Sequence, residues 1–359
     1  MSKPYGVISD MHFHNWSAFA TTDSNGVNSR LNIAMNETRR AARMLREAGG
    51  DTLYLGGDTF HVRGSLNPLV LNPVLDLFEN ICHSGVTVRA IAGNHDLASK
   101  EAESLSNGAE SLSKVGVTMI TDRGGRVFYD DGVVMFPWHS SPKELFDSMM
   151  AMRLELSAKS DLDWDAIIHA PVNGVLIGIP DHGLEAKELA GIGFRRVLSG
   201  HYHAFKTMES ERVISIGASQ HQTWSDIATK AGFLLVYPEK VVFYDSHAPK
   251  FVEINDETDP DEVALIVDGN YVRVRGKSAT DAEINEFRRD FEKLGAKGFS
   301  YQGVREVVSA RTGGVSHKAT SIESSVTEFV KARAFNPAEE TFIAAAALDV
   351  LAAVRARTE

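Results

Sequence analysis

Sulfur ligands, membrane-length apolar runs and a basic excess are all missing from this sequence, and each absence removes a class of function. One cysteine, Cys82, stands in 359 residues. An internal disulfide and a thiolate metal cluster are therefore excluded, and a reducing compartment such as the cytoplasm is expected. No stretch approaches the roughly 20 apolar residues of a membrane span, and the opening MSKPYGVISD is too short in apolar residues for a signal peptide. The net charge of −11 argues against a protein that coats nucleic acid through a uniformly basic surface. An anionic phosphodiester would need local compensation, from metal ions or a basic patch. What is present is 43% hydrophobic and 24% charged residues, the composition of an ordinary globular protein. The length suits one large α/β domain plus a smaller one.

The chain is organised around Asp51 to His61, DTLYLGGDTFH. Thr52–Leu55 is a short β-branched, aromatic and apolar run that reads as a buried strand. It stops at Gly56-Gly57, and Asp58 then falls at the sheet edge where open α/β sheets bind ligands. A lone Asp there would more often cap a helix or a turn. The same design recurs, however. Tyr5–Ser9 reads as a strand ending in Asp10-Met11-His12, and Val86–Ala92 as one ending in Gly93-Asn94-His95-Asp96. Asp165–Ile168 ends in His169, and Arg195–Ser199 in Gly200-His201-Tyr202-His203. Helices are expected over 31–48, 69–82, 101–115 and 142–160, with Leu69, Pro73, Leu77, Phe78 and Ile81 on one face of the second. Further strands are expected near 117–120, 133–136, 213–216, 233–237 and 241–244. Strands that first alternate with helices and later follow one another predict a layered α/β/β/α sandwich.

Five strand ends thus carry Asp10/His12, Asp58/His61, Asn94/His95, His169 and His201/His203. Each piece alone has a plain reading as a turn residue or a satisfied core histidine. Together they are hard oxygen or imidazole donors with no sulfur, a set suited to two divalent ions of the Mn²⁺, Fe²⁺ or Zn²⁺ kind. In Asp10-x-His12 and His201-x-His203, alternate residues of an extended chain point the same way, so both can face one site. His14, His139, His182 and His221 read as cleft-lining, surface or satisfied-core residues, and His83, His247 and His317 as surface. The run Gly217–Trp224 either admits a phosphate to the backbone or makes a tight turn.

DMH, GDTFH, GNHD, a lone His after a strand and GHYH, in that order, resemble the calcineurin-like metallophosphoesterases. Asp58-x-x-His61, a cap-like region and C-terminal helices narrow the likeness to SbcD-type double-strand-break nucleases, including the recombination nuclease subunits of large bacteriophages. The motif match covers roughly Tyr5 to Ser225; beyond it the likeness is one of layout. The resemblance implies that Asp10, His12, Asp58 and His203 hold one metal. It gives Asp58, Asn94, His169 and His201 to the other, with Asp58 bridging. It implies Mn²⁺ first, with Mg²⁺, Fe²⁺ or Zn²⁺ as alternatives. His95 becomes the residue that protonates the leaving oxygen or steadies developing charge. His61 either places a DNA end or hydrogen-bonds a ligand residue, and Asp96 is expected to orient a histidine.

A boundary is expected near 246–262, separating a catalytic domain, 1–250, from a small α+β cap, 262–312. The cap is read as a strand at 271–274, a helix at 281–293 and a strand near 304–309. From Tyr271 to Lys318 ten Lys/Arg stand against six Asp/Glu, a surplus of four that suits contact with the DNA backbone and is also within ordinary surface scatter. A Gly/Ser/Thr-rich linker, 311–321, precedes C-terminal helices within 320–359. The last puts Ile343, Ala347, Val350, Leu351 and Val354 on one face. By the resemblance this region docks an SbcC-like, SMC-type ATPase, and the chain forms a homodimer; from the pattern alone these helices could equally pack on the chain's own body. The expected function is a DNA exo/endonuclease in repair or recombination. The alternatives are a phosphodiesterase or phosphatase using the same metals, and a scaffold without activity.

Overall fold

The central strands are buried along their whole length, and their residues alternate between two cores, which builds the layers. The computed structural model describes residues 3–98, 108–159, 163–176, 178, 182–276, 278–306, 330–331 and 337–355. The chain divides into two compact units, Met1–Glu306 and Val307–Glu359. In the first unit one six-stranded sheet has the order β12-β11-β1-β2-β3-β4. Its parallel part is β1 (Tyr5–Ile8), β2 (Thr52–Leu55), β3 (Thr87–Ile91) and β4 (Thr118–Ile120). The antiparallel hairpin of β11 (Gly232–Val236) and β12 (Val241–Asp245) flanks it. The second sheet has the order β5-β6-β7-β8-β10-β9. There β6 (Val133–Phe136), β7 (Asp165–His169), β8 (Arg196–Gly200) and β10 (Val213–Ser215) run parallel. The outer strands β5 (Arg126–Phe128) and β9 (Lys206–Met208) are antiparallel.

Val7, Tyr54 and Ile91 of the first sheet meet Met135, Ile167, Leu198 and Ile214 of the second in a shared core. Their neighbours Ile8, Leu53, Leu55 and Ala90 face the opposite way, onto α1 (Ser29–Glu47) and α2 (Pro68–His83). Val134, Phe136, Ala166, Ile168 and Val197 likewise face α3 (Pro142–Lys159) and α4 (Ala186–Gly191). The result is the expected α/β/β/α order. Helix α1 starts where the Asn28 side chain accepts from the Arg30 and Leu31 amides. It buries Leu31, Ala34, Met35, Thr38, Ala41, Ala42 and Leu45 at helical spacing. Each fully buried leucine there contributes about 1.5–3 kcal/mol.

Several elements differ from the sequence reading. On α2 the buried face is Val70, Val74, Leu77, Phe78 and Ile81, whereas Leu69 is 55% exposed. Leu77, Phe78 and Ile81 are buried as expected, while Val70 and Val74 take the places expected for Leu69 and Pro73. Of the helix expected over 101–115, the described part is a 3₁₀ helix, Gly108–Val115. Phe251–Ile254, inside the expected boundary, is a strand, β13. It pairs in parallel with β14 (Tyr271–Arg275), which pairs with β15 (Gly298–Gln302). The strand expected near 304–309 is therefore displaced to Gly298–Gln302, because Phe299 stacks on Phe291 of α5 (Asp281–Lys293), whereas Val304 is 71% exposed. Among the described residues the short β-segment Arg305–Glu306 lies in the expected place. In the second unit the last helix spans Pro337–Arg355, and most of the helix expected before it lies outside the described residues. No helix among the described residues is long and apolar enough to cross a membrane.

Candidate metal centre

Because β1, β2 and β3 are parallel to one another, as are β7 and β8, all five release their polar residues at the carboxyl edges of the two sheets. The backbone there is unusual. Asp10, His12, Asp58 and His201 have φ of 50°, 44°, 49° and 103°. A left-handed conformation costs a non-glycine residue about 1–3 kcal/mol and persists only where its surroundings enforce it. The enforcement is visible: the Asp10 amide donates to the Gly57 carbonyl (3.1 Å) and the His12 amide to that of Asp58 (3.0 Å). Space is equally constrained. A Cβ on Gly57, itself at φ 101°, would overlap the His169 ring, and one on Gly93 would overlap the Asp58 carboxylate.

All seven expected ligands converge. His12 Nε2 lies 3.9 Å from Asp10 Oδ1, 3.5 Å from Asp58 Oδ2 and 3.3 Å from His203 Nε2. On the other side of Asp58, His169 Nε2 lies 3.4 Å from Oδ2 and 3.2 Å from Asn94 Oδ1. His201 Nδ1 is 2.9 Å from that same amide oxygen. Asp58 thus stands between two groups, one with Asp10, His12 and His203, the other with His169, His201 and Asn94.

The outward atoms of these rings decide what faces inward. His203 Nδ1 lies 2.9 Å from Asp226 Oδ1 and His169 Nδ1 lies 2.8 Å from the Gly56 carbonyl, so each Nδ1 carries hydrogen. In the neutral rings each Nε2 then turns a lone pair toward the oxygens of Asp58, Asp10 and Asn94, a crowding that a proton on His169 relieves when no cation is bound. A convergence of acceptors facing acceptors suits divalent cations with mixed nitrogen and oxygen ligands. Three groups of donor atoms, Asp10/His12/His203, Asp58/His169/His201 and His12/His61/His95, each lie within 4.8 Å of one another.

Without a cation the charges compensate each other. Burial opposes ionisation of Asp58, yet His169, His12 and His95 hold its carboxyl well below the usual range. Burial by itself would lower His169, but Asp58 and then Asp10 carry it up to about 9. Burial, with His169 beside it, pushes His201 down to about 3, and burial, with His14 and His95, pushes His61 down to about 4.

His95 and His61 stack at the rim, with centroids 5.3 Å apart and planes 17° apart. His95 Nδ1 donates to the His61 carbonyl (2.8 Å), and the His95 amide donates to Asp58 Oδ1 (2.8 Å). His61 Nδ1 faces His12 Nδ1 at 3.3 Å. Asp96 does not orient a histidine. It accepts from the amides of Thr59, Phe60 and Gly93 (3.2, 2.9 and 2.9 Å) and so ties the loops after β2 and β3 together. Burial, then the charge of Asp58, push it up to about 7.

Of the remaining histidines, His14 approaches the centre, its ring 5.0 Å from that of His61. His221 is a satisfied core imidazole: Nε2 donates to the Thr229 carbonyl (3.0 Å) and Nδ1 accepts from the Phe251 amide (3.1 Å). Sequence reasoning missed Asp226, Gln222 and Trp138. Asp226 anchors His203. Gln222 Nε2 donates to the Asp10 carbonyl (2.7 Å), and Trp138 stacks on His201 with centroids 5.4 Å apart. Only Asp226 had a readable signal, the Thr223-x-x-Asp226 capping box.

Exonuclease subunit 1 of Enterobacteria phage T4 is 25% identical to this chain over 204 residues, 56% of this chain and 57% of that protein. The match therefore spans little more than half of the relative's length. Among solved structures, a dimetal phosphatase from Danio rerio superposes with a TM-score of 0.40 at 12% identity, covering 65% of this chain and 92% of its own. A Thermus thermophilus protein gives 0.40 at 10%, covering 69% and 100%. Pseudomonas putida nuclease MPE gives 0.29 at 16%, covering 64% and 84%. Residues 3–205 match the calcineurin-like phosphoesterase family, and this stretch contains every one of the converging ligands. The chain belongs to the calcineurin-like phosphoesterase family.

Proposed function

We propose that this chain is a metal-dependent DNA exo/endonuclease of the SbcD type, the catalytic subunit of a repair or recombination complex. The observation that carries the reading beyond phosphoester hydrolysis is the match to a phage exonuclease subunit, which runs over 204 residues. Asp10, His12, Asp58 and His203 would hold one divalent ion, and Asp58, Asn94, His169 and His201 a second, Mn²⁺ being the preferred metal. When bound, such a pair supplies a water of lowered pKa and positive charge for the entering and leaving oxygens of an in-line displacement at phosphorus.

The chain's own residues do the rest. Asp58, held by the His95 amide, keeps the two ligand groups in register. Asn94 contributes an oxygen without charge, which leaves the site more positive for an anionic diester. His95 has its Nδ1 proton committed to the His61 carbonyl, so Nε2 is the atom that carries a proton to the leaving oxygen. His61, stacked on His95, fixes that ring and faces the substrate side of the rim.

The +4 stretch from Tyr271 supports backbone contact, although Arg273 is already committed to Glu253 (2.5 and 2.9 Å). Arg275 is the more available of the two, with 63% of its side chain exposed. An SbcC-like, SMC-type ATPase partner and a homodimer belong to the same proposal. The last helix supports a docking role by exposing Phe342 to 75%.

The test is cleavage of free-ended and end-blocked linear duplexes with and without Mn²⁺. Metal-dependent cleavage that Asp58→Ala and His95→Ala each abolish is expected. Turnover of phosphopeptides or cyclic nucleotides far above that of DNA, with DNA inert even beside the ATPase, would overturn the nuclease reading in favour of a phosphatase.

A further inference from the structure

The loops that carry His12 and His61 do more than meet at the metal centre. They run on side by side, the Phe13 amide donating to the Thr59 carbonyl (2.9 Å) and the His61 amide to that of Phe13 (3.4 Å). Immediately beyond the two histidines these loops enclose a cavity of about 410 Å³ against the start of α2. That volume lies within the range of about 300–1,000 Å³ typical of small-molecule sites. Phe13, Val62, Leu66, Pro68 and Val70 supply its apolar wall. His14 and Asn15 face it from the His12 side, and Ser65 and Asn67 from the loop before α2. Among the described residues no lysine, arginine, aspartate or glutamate lines it.

Those features select the chemistry of an occupant. A wall without cations is a poor phosphate site, and a wall without carboxylates is a poor cation site. An apolar slot rimmed on both sides by neutral polar groups suits a flat heterocycle. The rings of His14 and Trp16 lie 5.0 and 4.5 Å from that of His61, so an aromatic path leads from the slot to the metal centre. The Asn15 amide oxygen has no hydrogen-bond partner among the described residues. It is buried, and turned toward the cavity it would accept from a base N–H, which all four bases carry.

We infer that this cavity is a nucleobase subsite, which takes the unpaired base flanking the scissile phosphate. The inference rests on the nuclease reading and sharpens its substrate: a base held here cannot be paired, so the strand must be single or frayed at the cut. Base stacking on side chains is tolerant of sequence. The site therefore demands a base without choosing among bases.

The test uses the full chain with Mn²⁺ and a single-stranded oligonucleotide in which one abasic residue is walked along the strand. Wild-type protein should cut the bond beside the abasic residue about tenfold less well, chiefly through KM, since losing one stacked base weakens binding by about that factor. Val62→Trp, at a rim position 42% exposed, should fill the slot, lower cleavage of the intact strand and erase the abasic effect. Ser65→Trp provides a second filling variant, and melting curves check that both fold. Uniform wild-type cutting past the abasic residue, or an abasic effect that survives both fillings, overturns the subsite.

Should the wild type cut no DNA, the nuclease reading fails by itself. The subsite is then judged by calorimetry of deoxyadenosine monophosphate against deoxyribose 5-phosphate. At least tenfold tighter binding of the nucleotide, lost in Val62→Trp, upholds it, and equal affinities overturn it.

Discussion

His203 Nδ1 lies 2.9 Å from Asp226 Oδ1, and through that contact a residue after β10 sets the orientation of a histidine delivered by the end of β8. Asp226 also accepts from the amides of Gln222 (2.7 Å) and Thr223 (2.9 Å), so its own position is fixed. Carboxylates that orient a metal-bound histidine typically contribute about 10- to 100-fold in metal affinity. Asp226→Ala should therefore weaken binding of one of the two ions by about that factor while the other half, His169 and His201, is unaffected. Two-site calorimetry reads this directly. Equal weakening of both sites, or none, would show that Asp226 only caps its loop.

Metal binding should release a proton, and the sign follows from the pair at the centre. In the metal-free protein His169 stands at about 9, so at neutral pH Nε2 carries a proton that a cation must displace. His201, at about 3, is already neutral there and contributes nothing. Apparent affinity should rise with pH up to about 9, by as much as about tenfold per unit, and level off above it. Calorimetry in buffers of different ionisation enthalpy should count about one proton expelled at this half. Binding independent of pH between neutrality and that limit would contradict the coupling of Asp58 to His169.

Gly93→Ala should remove metal binding without removing the fold. The added Cβ would overlap the Asp58 carboxylate and its backbone nitrogen, so the bridging residue must move. Gly191→Ala is the control: nothing lies within 4 Å of a Cβ there. It closes α4, where alanine should be neutral or stabilising by about 0.5–1 kcal/mol. Circular dichroism and metal titration of the two variants separate a local displacement from general loss of stability.

Arg30 is 4% exposed, with its guanidinium 4.9, 5.2 and 5.5 Å from the ring centroids of Trp16, Phe251 and Tyr271. It donates to the carbonyls of Gln222 (2.5 Å) and Ala18 (3.3 Å), and so joins β13 and β14 to the loop that holds Asp10. Arg30→Lys should cost about 2–3 kcal/mol in chemical denaturation, because an ammonium cannot reach both carbonyls while lying flat among three rings. A loss below about 0.5 kcal/mol would show that the guanidinium is merely accommodated.

The strands that carry the expected ligands were legible because each is a short apolar run that ends abruptly, through glycine at the ends of β2, β3 and β8, in Asp, Asn or His. Asp10, His12, Asp58, Asn94, His169, His201 and His203 could be picked out before any coordinates, since a parallel sheet sends all such ends to one edge. Strand β13 was not legible. Its four residues lie among Pro249, Asn255, Asp256 and Pro260, and the tertiary partners that make it a strand, Trp224 and Tyr271, are far away in sequence. Asp96 was misread for a related reason: proximity to His95 in the chain suggested a histidine partner, and the fold brings three backbone amides to it instead.

The sequence by itself determined the layer order and which oxygen and imidazole groups end the strands, because apolar runs and residue chemistry are local properties. Only the tertiary structure decided which donors share a partner, that Asp58 sits between the two groups, and that Asp226 and Arg30 belong to their support. Those relations join residues as much as 192 positions apart, as in the hydrogen bond from Arg30 to Gln222. They arise when sheet edges close against one another, a geometry that no local pattern of residues encodes.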